Sequence, residues 1–531
     1  MSVKQKYVPL LLGIALAIGI FIGGKLGFTN TDNALFSNNS SKEKLNRLFN
    51  YIEYDYVDDV NTDSIVDVAV NGILANLDPH SVYIPKENLD RVAENMKGDF
   101  VGIGVNFYVY RDSIAVIKTI KGGPSDKAGI KGGDRILMAN SDTLYGSKLK
   151  DEDVVKKLKG PKGSDVRLTI YRQGTPNLLN YNVERDVVPI RSVDATYMLT
   201  NVLGYVKINR FAETTYKEFK VSLDSLLALG AKEIVLDLRN NPGGYLGVAE
   251  KIVDEFLEDG KLILFTKNKR NKIEESYATN KGDFEQGNVY VLINENSASA
   301  SEIIAGALQD NDKGTIIGRR SFGKGLVQRE MGLGDGSAIR LTVSRYYTPT
   351  GRSIQRPYNN GSSNYYHEYI DRIKSGELTD SAKIQVHDSL KFKTPKGKTV
   401  YGGGGIIPDV FVALDNGLHN KTIATLWDYG YFDNFIFRYL DKDRHAYNGI
   451  SRQDFINDFE VSDSLLKRFE VYVDNRTPNN ITFNAFKKEV KHYLKATLGE
   501  QLFDGNTFYE VLNKQDIMIE TVVKLSKKEA I

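Results

Sequence analysis

Cysteine is absent from the 531 residues, and tryptophan occurs once. The missing thiols exclude disulfides, thiolate metal sites and a cysteine nucleophile together. They do not identify a compartment, because exported proteins also do without cysteine. Histidine is scarce: His80, His367, His387, His419, His445 and His492. These form no H-E-x-x-H and no paired spacing, so no metal site is read and no cofactor is expected. A phosphate-cradling G-x-x-x-x-G-K-[ST] loop is also missing. Neither charge is in surplus: 70 basic against 68 acidic residues leave a net charge of +2. That balance carries no footprint for nucleic acid as a partner.

What is present is an ordinary globular composition, 41% hydrophobic and 26% charged. Its length suits about three domains at roughly 100–200 residues each. One long apolar run stands out, Val8 to Gly24, with Lys4 and Lys6 before it and Lys25 after it. It is short for a spanning helix, but no small-x-small cleavage site follows, so the reading is an uncleaved signal anchor over 1–25. The two lysines before the span favour a cytoplasmic N-terminus. The membrane is then a partner through this helix, and the rest of the chain lies outside the cytoplasm, in the periplasm or at the cell surface.

After a polar Asn/Ser linker, residues 42–97 show helical spacing, broken by the turn Leu77-Asp78-Pro79-His80. From Gly98 the texture becomes short β-rich runs punctuated by Gly and Pro, which reads as a small β-domain over 98–186. From Val187 buried runs such as IVLDL (234–238), VYVLI (289–293) and TIIG (315–318) alternate with helical patterns. That pattern implies an α/β core over 187–413 with parallel pairing. Residues 356–404 read as an insertion or loop, and 414–531 as a helical C-terminal extension.

Three segments carry candidate chemistry. In Asn296 to Glu302 (NSASASE) a serine stands at a helix N-terminus, where free backbone N–H groups favour an oxyanion. Ser299-x-x-Glu302 fits a capping box equally well, in which the serine only caps. In Gly323-Lys324-Gly325-Leu326-Val327-Gln328 the glycines let a lysine approach closely. A neutral lysine serves as a base if burial or a cationic neighbour depresses its pKa. Lys324 and Gln328, four apart, share a face on a strand and are neighbours on a helix. Taken alone, G-K-G is also a common surface turn. Leu238 to Gly244 (LRNNPGG) follows a buried strand and exposes backbone N–H groups where α/β folds place ligands, or is a plain turn.

These segments in this order, with RYYTPTGRSIQ and GIIPDV after them and LDPHSVYIP before, resemble the C-terminal processing peptidases, also called tail-specific proteases. The similarity covers roughly residues 42–412. Independently, Gly102-Ile103-Gly104-Val105 and PSDKAGIKGGDRILMANS (124–141) resemble the carboxylate-binding loop and following segment of PDZ domains. The fold implied is an α/β multidomain chain: N-terminal membrane anchor, helical segment, β-rich PDZ domain, protease core of the crotonase/ClpP-like kind and helical C-terminal extension.

The resemblance implies a serine endopeptidase that cuts exported proteins near their C-termini. Ser299 would be the nucleophile, Lys324 the base and Gln328 its positioning partner. The oxyanion hole would draw on Gly243 or Gly244, a choice left open, and on Ala300. Ser297 and Ser301 are the competing serines. Val101, Gly102, Ile103, Gly104 and Val105 would capture a free apolar C-terminus as the substrate adds a strand to the sheet edge. The rival reading is a proteolytically inactive PDZ scaffold binding envelope proteins. A trypsin-like alternative lacks its Gly-x-Ser-Gly segment. The link from Gln355 to Gly405 is longer than the family's usual one, and is expected to leave the dyad untouched while altering access or oligomer contacts. An adaptor protein and a homo-oligomer are further partner classes left open.

Overall fold

The computed structural model describes residues 13–16, 18, 40–110, 112–146, 150–359, 361–415, 417–442, 444–477, 483 and 485–529. The expected anchor therefore falls almost wholly outside the described residues. Among those, no helix is long and apolar enough to cross a membrane. Contacts divide the chain into two units, Met1–Ile73 and Leu74–Ile531. In the first, the helical spacing becomes the helix Ser40–Tyr54 and most of Thr62–Ala75.

In the second unit the apolar runs of the α/β core become strands. The sheet order is Val193–Met198, Leu203–Ile208, Glu233–Asp237, Asn288–Ile293, Gly314–Gly318, Val410–Phe411. All neighbours but the first pair are parallel. Strands buried on both faces read as continuous apolar runs, which is why IVLDL and VYVLI show no polar alternation. Ile234, Leu236, Val289 and Val291 meet the helices Thr215–Ala228, Leu246–Asp254 and Ala300–Asp310. The alternate residues Val235, Tyr290 and Leu292 meet Met518, Ile519 and Val522 of the last helix, Ile517–Glu529. The C-terminal extension thus supplies one face of the core.

A second, antiparallel sheet stands beside the first. Its hairpin Leu326–Gly332/Ala338–Tyr347 pairs Gln328 with Thr342, after a register shift at Val327/Gln328. The short strand Val82–Ile84, just after the Leu-Asp-Pro-His turn, pairs with the same hairpin (Val82 opposite Arg340). The segment expected to be helical through 97 therefore contains this strand before the helix Lys86–Lys97.

The small β-domain is a sheet in the order Val105–Tyr110, Ser113–Thr119, Arg135–Ala139, Asp165–Tyr171, Leu179–Glu184. Its core gathers Ile103, Val116, Ile136, Leu168 and Val183. Val105–Tyr110 stands at the end of that order. The C-terminal helices form their own aromatic-rich core around Phe432, Phe469 and Phe483. They also touch the β-domain, with the Phe437 ring 4.7 Å from Tyr108 and Asp441 2.8 Å from Arg135.

Because Ile519 is buried against the core sheet, Ile519→Ala is expected to cost about 2–5 kcal/mol. Thermal denaturation should show a clear fall in Tm, and an unchanged Tm would mean the last helix is not part of the core.

Candidate active site

The chain leaves strand Asn288–Ile293 through a tight turn into helix Ala300–Asp310, and Ser299 is the N-cap, with φ 55 and ψ −112. Positive φ is costly for a residue with a Cβ and needs surroundings that hold it. Its neighbours hold it here. Ser297 Oγ donates to the Leu238 carbonyl (2.8 Å), Ser301 Oγ to the Asn241 carbonyl (2.9 Å) and Ala298 N–H to the same Asn241 carbonyl (3.0 Å). Ser297 and Ser301 are fully buried anchors, and of the three serines only Ser299 lines the neighbouring cavity. The cap and the cavity-facing serine are one residue, so the two readings of this segment do not compete.

Glu302, fully buried, ties this turn to the lysine loop. Its Oε2 accepts the backbone N–H of Ser299 (2.9 Å) and of Lys324 (2.8 Å). Its Oε1 accepts Gly323 N–H (2.7 Å) and Ser321 Oγ–H (2.5 Å). Burial pushes this carboxyl up, and the four hydrogen bonds pull against it. From the other side the buried Tyr346 hydroxyl reaches both carbonyls, Lys324 at 2.9 Å and Ser299 at 3.2 Å. The backbones of Ser299 and Lys324 are thus joined twice, N–H groups through one carboxylate and carbonyls through one phenol.

Lys324 lies in the loop before strand Leu326–Gly332, so the expectation of a shared strand or helix face with Gln328 does not describe it. Both nonetheless line the cavity. Gly323 has φ 90, and a Cβ there would press on Gly405 and Arg356. The glycine serves packing of the loop as well as approach of the lysine. The amine makes no hydrogen bond or ion pair among the described residues, and no hydrogen bond joins it to Ser299. Burial lowers it to about 8, helped by Arg340 and opposed by Glu302 and Asp78.

The Pro-Gly-Gly turn separates its two glycines. Gly243 N–H donates to Asn241 Oδ1 at 2.9 Å. Gly244, at φ 152, abuts the Phe211 carbonyl, where a Cβ would come within 2.1 Å. Among the described residues the N–H groups of Gly244 and Ala300 have no partner. Behind the turn, Asp237 takes the Arg239 guanidinium (2.6 Å), Lys207 (3.2 Å) and the Tyr205 hydroxyl (2.8 Å). Burial alone would raise the Asp237 carboxyl, yet Arg239 and Lys207 hold it well below the usual carboxylate range. Arg239 also pairs with Asp516 of the C-terminal extension at 2.6 Å.

Among the described residues the insertion touches neither the Ser299 nor the Lys324 side chain, but it packs on the segments around them. Its helix Gly361–Ser375 braces both the lysine loop and the Leu-Asp-Pro-His turn. Arg372 donates to the Ser321 carbonyl (2.9 Å) and the Tyr366 hydroxyl to the Pro79 carbonyl (2.7 Å). Arg356 is stacked between Phe322 and Tyr365, 3.9 Å from each ring centre. His80 bonds Tyr365 through Nε2 (2.9 Å), and burial, then Lys324, bring its pKa down to about 4. The imidazole is thus neutral and held by the insertion helix.

The cavity measures about 1150 Å³ and runs from Ser299, Lys324 and Gln328 past Gly243 and Gly244 to Phe100 and Val101 of the β-domain. Helix Lys86–Lys97 forms another wall with Asp90, Glu94 and Lys97, which sequence periodicity did not single out. Of the five expected tail-binding residues only Val101 borders it. Gly102, Ile103, Gly104 and Val105 do not, and the Ile103 side chain is in the β-domain core.

Comparison with known proteins agrees with this architecture. Residues 202–359 match peptidase family S41, 101–183 a PDZ domain, and 25–88 the activating protease CtpB N-terminal domain. Residues 422–504 match a family of unknown function. The chain is 33% identical over 356 residues to the carboxy-terminal-processing protease of Bartonella bacilliformis, covering 66% of this chain and 80% of that one. It is 34% identical over 379 residues to the carboxy-terminal processing protease CtpA of Bacillus subtilis, covering 71% and 78%. Against the photosystem II D1 C-terminal processing protease structure the identity is 26%, the coverage 70% and 86%, and the TM-score 0.37. The class defined is a serine peptidase hydrolase with a PDZ domain. The chain belongs to the carboxy-terminal processing protease family of S41 peptidases.

Glu302→Gln should lower Tm markedly, because it turns an amide N–H₂ toward buried donors, at about 1–3 kcal/mol per group left unpaired. Tyr346→Phe, which deletes one hydroxyl, should cost about 1 kcal/mol. Equal Tm values for wild type and Glu302→Gln would contradict the role given to this carboxylate.

Proposed function

We propose that this chain cleaves protein substrates near their C-termini by acyl-enzyme chemistry, with Ser299 as nucleophile and Lys324 as general base. One observation carries the reading. Ser299 and Lys324 line one cavity, and the lysine amine is without an ion-pair partner among the described residues and lowered to about 8. A base works best with a pKa near the operating pH. Neutral Lys324 takes the Ser299 hydroxyl proton as Oγ attacks the scissile carbonyl carbon. The negative charge that develops on the carbonyl oxygen is met by the N–H groups of Gly244 and Ala300. Gly243, its own N–H committed to Asn241, packs against Ser299. The Lys324 ammonium then gives its proton to the leaving amine, the C–N bond breaks, and the acyl ester remains on Oγ. Water, deprotonated by Lys324, attacks that ester, the C–Oγ bond breaks, and Lys324 returns the proton to Ser299 Oγ.

The substrate's C-terminus is held by the PDZ domain. The loop Val101 to Val105 meets the carboxylate, and strand Val105–Tyr110, at one end of its sheet order, receives the peptide as an added strand. Val101 on the cavity wall puts this loop within reach of the space occupied by the dyad. The apolar run Val8 to Gly24 anchors the chain, so the substrates are exported proteins. A silent scaffold would have no use for a lysine with a lowered pKa beside a cavity-facing serine.

The test is cleavage of one unfolded reporter with either an apolar or a charged C-terminus. Wild type should cleave the apolar-tailed form faster. Ser299→Ala should lose about 10⁴-fold or more, and Lys324→Ala about 10²–10⁴-fold. Wild-type cleavage by Ser299→Ala would overturn the assignment. Only the neutral amine accepts a proton, and its fraction grows with pH, so kcat/KM should rise through about pH 8. Arg340 pushes the amine down, so Arg340→Gln should move that rise to higher pH.

A further inference from the structure

We infer that Thr342, with its hydroxyl fixed by Asp78, is a positioning residue that decides which end of the Gln328 amide faces Lys324. The inference rests on the Ser299/Lys324 reading above.

The argument is one of hydrogen-bond polarity. Asp78 Oδ1 accepts two backbone N–H groups, from His80 at 2.8 Å and Ser81 at 2.9 Å. Backbone N–H groups only donate, so this oxygen is the acceptor in both bonds. Thr342 Oγ1 lies 3.1 Å from the same oxygen and must therefore be the donor. A hydroxyl has a single proton, and this one is spent. Toward Gln328, whose amide nitrogen lies 3.3 Å away, Thr342 can then only accept. The amide must turn its N–H₂ to Thr342, and its Oε1, which has no partner among the described residues, is left to the cavity that Lys324 also lines.

The chemical consequence falls on the lysine. A neutral amine has two N–H bonds and one lone pair. An oxygen beside it takes an N–H and leaves the lone pair for the Ser299 proton. A flipped amide would offer N–H₂, which competes for that lone pair. Asp78 is held for the task. It is buried, its second oxygen accepts the Ser81 hydroxyl at 2.7 Å, and Ser81 in turn accepts Thr342 N–H at 3.2 Å. The Leu-Asp-Pro-His-Ser segment, remote from the dyad in sequence, thus acts on it through Thr342 and Gln328.

Thr342→Val keeps the shape and removes the hydroxyl. It should lower kcat about tenfold or more, as expected for one well-placed hydrogen bond, with KM within about twofold because substrate contacts are untouched. Thr342→Ser should restore most of kcat. A double-mutant cycle separates positioning from general support. If Thr342 acts through Gln328, then Thr342→Val combined with Gln328→Ala is no slower than Gln328→Ala alone. If the two losses multiply, or if Thr342→Val has wild-type kcat, the inference is overturned. Lys324→Ala is run beside them. An active Lys324→Ala defeats the Ser/Lys reading itself, whereas an inactive one beside a fully active Thr342→Val defeats only the positioning role.

Discussion

One buried carboxylate holds the site together. Glu302 has no exposure and accepts four hydrogen bonds, from the turn that carries Ser299 and from the loop that carries Lys324. Those two segments leave neighbouring strands of the parallel sheet, and beside the Phe322 N–H to Ser297 carbonyl bond (3.0 Å) and the Arg319–Glu295 pair (2.7 Å) this carboxylate is what ties Ser299 to Lys324. Burying a charge is unfavourable unless its lone pairs are filled. Here they are filled by groups that would themselves be orphaned otherwise: the first N–H groups of a helix and of a glycine-bounded loop. The Tyr346 phenol repeats the link on the carbonyl side. The positive φ of Ser299 is sustained by this network and by the buried serines on either side.

Outer layers serve the same geometry. Asp237, Arg239 and Lys207 form a charged cluster under the Pro-Gly-Gly turn, closed by Asp516 from the C-terminal extension. The insertion helix braces the lysine loop through Arg372 and the Leu-Asp-Pro-His turn through Tyr366. Segments that look peripheral in the sequence are therefore contacts of the loops that carry Ser299 and Lys324. The last helix goes further and packs Met518, Ile519 and Val522 on one face of the core sheet.

What could be read in advance was local. Runs such as IVLDL and VYVLI announce doubly covered strands because each residue in them is apolar. The small residues around Ser299 and the glycines around Lys324 mark places where backbone must come close. What escaped depends on contacts between segments far apart. Glu302 read as half of a capping box, and nothing near it shows that its second oxygen is needed by the lysine loop. What distinguishes Gly243 from Gly244 is one Asn241 side chain, which takes the Gly243 N–H. Gln328 and Thr342 meet only because a register shift places them opposite each other across a hairpin, and alternation counted from either strand end misses such a shift. The helix inside the insertion is not legible in advance because it shows no clean apolar stripe, its Tyr and Arg residues packing through hydroxyls and guanidinium groups.

The central claim is that Ser299 is made nucleophilic by Lys324. The most direct measurement is the rate of covalent modification by a small serine-directed phosphonylating reagent, followed across pH and located by peptide mass mapping. The account predicts a single adduct on Ser299, with a rate that climbs through about pH 8 as the lysine loses its proton, and a rate in Lys324→Ala that is far lower and flat with pH. An adduct on Ser297, Ser301 or a distant serine, or a Ser299 rate indifferent to both pH and Lys324, would contradict it.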